Sequence, residues 1–80
     1  MRHRIVLPEL GLSHWVVSLW LVDKGRNVTA GDRVIEVLAD GVTVDLPAPA
    51  TGVLVEQLVG DDDPLVVGQV LGWIEGEGGS

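Results

Sequence analysis

The 80-residue sequence has no cysteine, no phenylalanine, no tyrosine and a single lysine, Lys24. Without cysteine there is no disulfide, no thiol nucleophile and no zinc site of the cysteine type, a composition that fits the cytoplasm. Cations are scarce: Asp and Glu number 12 against 5 Lys and Arg, for a formal net charge of −7. Such a surface repels phosphate backbones and anionic lipid, so nucleic acid and membrane are both excluded as expected partners. The longest mainly apolar run, Trp15 to Val22, is far short of the roughly 20 residues that cross a bilayer. The opening Arg2-His3-Arg4-Ile5-Val6-Leu7 is cut at once by Pro8 and Glu9, and no small-residue cleavage site follows, so no targeting segment is expected.

Helical periodicity is missing as well. No stretch of ten or more residues keeps an apolar stripe at three-to-four spacing. What the chain does have is aliphatic, β-branched material: 46% of residues are hydrophobic and valine dominates. Runs rich in Val are cut by Gly, Pro, Asn and Asp, which predicts strands over 4–7, 16–22, 33–39, 42–46, 52–59 and 70–75, with shorter pieces around Val28 and Leu65. In Val42-Thr43-Val44-Asp45-Leu46 the apolar residues alternate with Thr43 and Asp45, as in a half-buried strand. Short strands at regular spacing predict an all-β sandwich or flattened barrel.

Asp40-Gly41 lies between two such runs and is a strong signal for a two-residue type I′ hairpin. Lys24-Gly25 and Gly60-Asp61 mark two further turns. An internal repeat is visible: Val28-Thr29-Ala30-Gly31-Asp32-Arg33-Val34 aligns with Leu65-Val66-Val67-Gly68-Gln69-Val70-Leu71. Each copy follows a glycine turn, at Gly25 and Gly60, and the second turn reads as the longer, filled by Asp61-Asp62-Asp63-Pro64. Two similar halves imply two small antiparallel sheets with pseudo-twofold symmetry. Residues 1–75 form one domain; 76–80, rich in Gly and ending in Ser, read as a flexible tail or the start of a linker.

These residues carry a family resemblance. Pro8-Glu9-Leu10-Gly11 is similar to the Pro-Asp-Leu-Gly opening of lipoyl domains. Trp20-Leu21-Val22, then Lys24-Gly25 and Val28-x-x-Gly31-Asp32, is similar to their second strand and turn. The stretch Glu36 to Pro49 resembles the segment holding the attachment site. Gly52-Val53-Leu54, Val67-Gly68-Gln69-Val70-Leu71 and Ile74-Glu75 resemble the second half. The resemblance, to the lipoyl/biotinyl carrier family, covers residues 5–75 and comes nearest to the lipoyl domains of 2-oxo acid dehydrogenase acyltransferase components.

In that family the hairpin tip holds a lysine, as Asp-Lys-Ala in lipoyl and Met-Lys-Met in biotinyl domains, and the lysine carries the cofactor. Here the tip reads Asp40-Gly41-Val42. The resemblance therefore implies the fold and implies no lipoate or biotin, because glycine offers no amine. Gly41 reads either as turn optimisation in a chain that does not need the lysine or as a deliberate loss of attachment. Leu38 stands where the family has a polar residue, and the loop Leu12-Ser13-His14-Trp15 is about two residues shorter than usual.

Other candidates are weighed on their own chemistry. Ser13-His14 pairs a hydroxyl with a base, but adjacent loop residues seldom face each other and no orienting carboxylate is evident. His14 reads instead as a surface residue open to a partner. Asp61-Asp62-Asp63 lacks the alternating ligand spacing of a calcium loop and reads as a solvated acidic turn, so no metal is expected. Trp20 and Trp73 fall inside strands and read as packing. Trp15 has two readings: an apolar patch with Leu38 and Val42 near the tip, or a ring packed under the loop. Lys24 is the one remaining lysine on a turn. The expectation is a protein that is not an enzyme and that meets a protein partner through His14, Trp15 and Leu38, with an acyl carrier that has lost its lysine as the alternative.

Overall fold

The computed structural model describes residues 1–76. Eight strands follow one another: β1 (Arg2–Val6), β2 (Trp15–Trp20), β3 (Asn27–Val28), β4 (Arg33–Ala39), β5 (Val42–Pro47), β6 (Gly52–Gln57), β7 (Pro64–Leu65) and β8 (Val70–Gly76). They form two four-stranded antiparallel sheets, ordered β1-β8-β6-β3 and β5-β4-β2-β7. Their facing sides bury the aliphatic residues that alternate along each strand, among them Val17, Ile35, Val37, Leu54, Leu71 and Ile74. The predicted all-β sandwich of two antiparallel sheets is what the chain forms.

The internal repeat is the twofold of this sandwich. β2, β3 and β4 correspond in order to β6, β7 and β8, and β5 corresponds to β1. The pairing registers match: Val17 opposes Val37 as Leu54 opposes Ile74, and Trp15 opposes Leu65 as Gly52 opposes Val28. Connecting hydrogen bonds match too. Gly31 N–H donates to Ala48 O at 3.0 Å and Gly68 N–H to Leu7 O at 2.8 Å. Thr29 N–H donates to Asp32 Oδ2 at 2.8 Å, and Val66 N–H to Gln69 Oε1 at 2.9 Å. Even dissimilar side chains form equivalent cross-links. Trp20 Nε1 donates to Val59 O at 2.8 Å, and its mate Gln57 donates through Nε2 to Val22 O at 2.9 Å.

Each sheet also carries matching irregularities. The register of β4 against β5 shifts between Arg33 and Ile35, and that of β8 against β1 shifts at the equivalent place, between Ile5 and Val6. A bulge adds one residue to a strand. That is how consecutive residues, Val34 with Ile35 and Leu71 with Gly72, are all buried.

Several expected boundaries move. β1 runs Arg2–Val6 and leaves Leu7 outside the ladder, where Leu7 N–H instead donates to Gln69 O at 3.1 Å. β2 runs Trp15–Trp20 and β6 runs Gly52–Gln57, each two residues short of the predicted end, and the Val22 and Val59 carbonyls beyond them accept hydrogen bonds from the Gln57 and Trp20 side chains across the molecule. Gly76 belongs to β8, opposite Gly52, and not to a tail. The rest of the expected tail, 77–80, lies outside the described residues.

The expected longer second turn is corrected. Gly25 N–H donates to Leu54 O at 2.7 Å, and the residue doing the same in the second half is Asp62, donating to Val17 O at 2.8 Å. Arg26 N–H reaches Asp23 O, and Asp63 N–H reaches Gly60 O. The two turns are therefore of equal length, and Gly60 is the mate of Asp23, not of Gly25. Both Gly25 and Asp62 have positive φ, +94° and +67°. Aspartate is one of the few non-glycine residues that adopts that region at modest cost.

Candidate functional site

The β4–β5 hairpin ends in a two-residue turn, Asp40-Gly41, between the paired residues Ala39 and Val42. φ is +50° at Asp40 and +77° at Gly41. Positive φ at both central residues defines the type I′ turn and matches the right-handed twist of the strands it joins. Beyond its two chain neighbours, no atom lies within 4 Å of where a Cβ on Gly41 would stand. The glycine is there for its backbone conformation and not for lack of space, and the tip projects into solvent.

Burial falls away toward the tip. Along β5, Leu46 is buried, Val44 half-buried and Val42 is 47% exposed. On β4, Ala39 is buried and Leu38 half-buried, opposite Thr43 on one side and Val16 on the other. β2 begins only at Trp15, so the pairing of β4 with β2 stops at Leu38, before the tip. Beyond β2 lies β7, preceded by the turn Gly60–Asp63, which is tied to Val17 by hydrogen bonds in both directions.

Trp15 does not join Leu38 and Val42 on the surface. It is 1% exposed, and its Nε1 donates to Leu12 O at 3.2 Å, which pins the loop over the ring. Of the two readings of Trp15, packing under the loop is the one the structure takes, and its indole is not available to a partner. His14 is exposed with φ +61°, and its Nδ1 lies 3.2 Å from Ser13 Oγ. The pair does touch, but it stands open to solvent and no carboxylate hydrogen-bonds the His14 ring among the described residues. Nothing there excludes water or orients the imidazole, as a catalytic base requires.

The acidic turn uses one of its carboxylates internally: Asp63 Oδ2 accepts Gly60 N–H at 2.7 Å. Among the described residues no three His, Asp or Glu side chains are grouped to hold a metal ion. Lys24 is exposed in the turn before β3, and its twofold mate is Asp61. The mate of the hairpin tip is the place where β1 starts and β8 finishes, with Gly76 N–H donating to Met1 O at 2.7 Å. At that opposite pole Glu75 is held below the usual carboxylate range, first by its hydrogen bond to the Met1 amine and then by Arg2. Lys24 therefore lies on a turn whose backbone is tied to β6 in the other sheet, and it is the mate turn, Gly60–Asp63, that flanks β2 in the sheet of the tip. The acid-rich turn flanking β2 was legible only as composition. Its link to the tip needed the strand order, which no local signal carries.

Among the described residues no helix is long and apolar enough to cross a membrane. The family model described as "Biotin-requiring enzyme" (Biotin_lipoyl) matches residues 3–74. A dihydrolipoyllysine-residue succinyltransferase component of a 2-oxoglutarate dehydrogenase complex from Bacillus subtilis is 38% identical over 79 residues, 95% of this chain and 19% of that protein. A dihydrolipoyllysine-residue acetyltransferase component of an acetoin cleaving system from Pseudomonas putida is 36% identical over 78 residues, 94% of this chain and 21% of that protein. The chain thus spans about a fifth of the length of these relatives. The solution structure of the lipoyl domain of the 2-oxoglutarate dehydrogenase complex from Azotobacter vinelandii has the same fold, with a TM-score of 0.69 at 22% identity over 95% of this chain and 98% of that one. With its two pseudo-symmetric sheets and projecting β4–β5 hairpin, the chain belongs to the biotin/lipoyl domain family.

Proposed function

We propose that this is a lipoyl-type domain whose hairpin tip does not carry a cofactor, and that it acts as a non-catalytic interaction or structural module. The observation that carries the reading is the tip itself: a type I′ turn of Asp40 and Gly41, with exposed Val42 beside it. Attachment of lipoate or biotin in this family is an amide on a lysine side chain. Gly41 has no side chain, Asp40 offers a carboxylate and Val42 a hydrocarbon, so the residues present do not fit the group. The protein partner would meet the exposed tip, the neighbouring loop with His14, and half-buried Leu38. With exposed Val42 beside the acid Asp40, the tip suits a docking contact better than a reaction.

A second reading is an acyl-carrier domain of a 2-oxo acid dehydrogenase acyltransferase whose lysine has been lost. It is favoured by the sequence identities, since those relatives are named as dihydrolipoyllysine-residue acyltransferase components. Asp40 also matches the lipoyl pattern at the tip. Incubating the protein and its Gly41→Lys variant with a lipoate ligase, lipoate and ATP tests both readings. Lipoylation of Gly41→Lys alone means that the rest of the tip still serves an attachment enzyme, and supports recent loss from a carrier. A folded Gly41→Lys protein that stays unmodified means the tip has diverged beyond one residue, and supports the interaction module.

A further inference from the structure

The five cations of this acidic protein are not spread evenly. Arg2 and Arg4 lie on β1 and, with His3, Pro49 and Trp73, line a cleft of about 400 Å³ that has no carboxylate in its wall. β1 is an edge strand. Gly76 N–H donates to Met1 O, so Met1 and Gly76 are a hydrogen-bonded pair. Hydrogen-bonded and non-hydrogen-bonded pairs alternate along an antiparallel ladder. It follows that Arg2 and Arg4, opposite Glu75 and Trp73, turn their own N–H and C=O groups outward from the sheet.

The side chains here are available. Arg4 makes no ion pair among the described residues, and Arg2 is held only at 3.5 and 3.6 Å by Glu75 and Glu56, all of them more than 40% exposed. Trp73, directly across from Arg4, is half-buried and lines the same cleft. The fold does not require this chemistry. At the mates of the cleft residues the other sheet carries Thr43, Val44, Asp45, Pro8 and Glu36, so the equivalent edge is acidic where this one is basic.

We propose that the β1 edge is a docking site for an extended, acidic segment of a protein partner, which adds as a fifth strand beside Arg2 and Arg4. Outward backbone groups supply the ladder, and the two arginines select glutamate or aspartate opposite them. Cations on an edge ordinarily keep it from pairing with its own kind, and two β1 edges would set arginine against arginine. The same charges favour an acidic strand. Net charge does not forbid this, because at about 0.15 M salt the screening length is about 8 Å and the local arginines dominate. The site lies apart from the hairpin tip and does not depend on how the tip is used.

The test is amide NMR of the full 80-residue chain, titrated with a capped pentapeptide alternating glutamate and valine. A lysine–valine pentapeptide and inorganic phosphate serve as separate arms. The proposal expects saturable shifts along Arg2–Val6 and at Trp73 with the acidic peptide and none with the basic one. Arg4→Glu, with a spectrum otherwise unchanged, should weaken the acidic peptide about tenfold. The absence of saturable shifts, shifts elsewhere, or equal binding by Arg4→Glu would overturn it. Phosphate binding as well as the peptide would overturn strand docking in favour of a small-oxyanion site. Shifts that instead track self-association by sedimentation would assign the edge to a second copy.

Discussion

Asp62 is the structural counterpart of Gly25. Each donates its N–H across the sandwich, to Val17 O at 2.8 Å and Leu54 O at 2.7 Å, and each does so at positive φ. Gly60, the glycine of the second turn, is not at positive φ, and a Cβ placed on it would meet only Asp63 Oδ2 at an ordinary 3.9 Å. Substitutions should therefore behave opposite to what the glycine pattern implies. Gly60→Ala should be tolerated within about 0.5 kcal/mol. Asp62→Val, which forces a β-branched residue to positive φ, should cost about 1–2 kcal/mol. Urea denaturation of the two variants checks the order.

The hairpin tip gives a second prediction. Gly41 has φ +77° in open space, so cost follows backbone preference and not size. Gly41→Asn should be nearly neutral, Gly41→Lys should cost about 1 kcal/mol, and Gly41→Val more than Gly41→Lys. Equal midpoints for asparagine and valine in thermal unfolding would contradict the type I′ assignment.

Trp15 and Gly52 occupy equivalent places yet fail in opposite ways. Trp15 is wholly buried, so Trp15→Ala should cost about 3–5 kcal/mol through the cavity it leaves. A Cβ on Gly52 would collide with the Glu75 backbone carbonyl, so Gly52→Ala must push β6 from β8 and should cost about 1–3 kcal/mol. Calorimetry of each variant measures this. A Gly52→Ala protein as stable as the parent would mean that the β6–β8 spacing is looser than described.

The Gln57 side chain, which closes one end of the symmetric pair of cross-links, gives a fourth. Its Nε2 donates to Val22 O, and Gln57→Leu would leave that carbonyl without its partner. The expected loss is about 1 kcal/mol, read from the denaturation midpoint.

What the sequence made legible depended on how local the signal was. β4 and the start of β5 follow from Arg33–Ala39 and the Asp40-Gly41 turn, because alternation and turn chemistry are both written within a few residues. The repeat of Gly31 and Gly68 was equally plain, since both take positive φ and close the same loop. The equivalence of Gly25 and Asp62 was not, because the eye pairs glycine with glycine while the backbone asks only for a residue that accepts positive φ. The burial of Trp15 was open for a similar reason: a tryptophan beside a loop packs inward or outward according to whether the loop closes over it, here through Leu12 O. The cleft on β1 was invisible as such, since Pro49 and Trp73 reach it only through the fold.

That this lipoyl-type domain carries no cofactor is tested most directly by the intact mass of the protein purified from its native host, followed by peptide mapping of any shifted species. The expected result is the unmodified mass. A mass increase matching lipoate or biotin, mapped to Lys24, would contradict it and move the attachment site to the turn before β3.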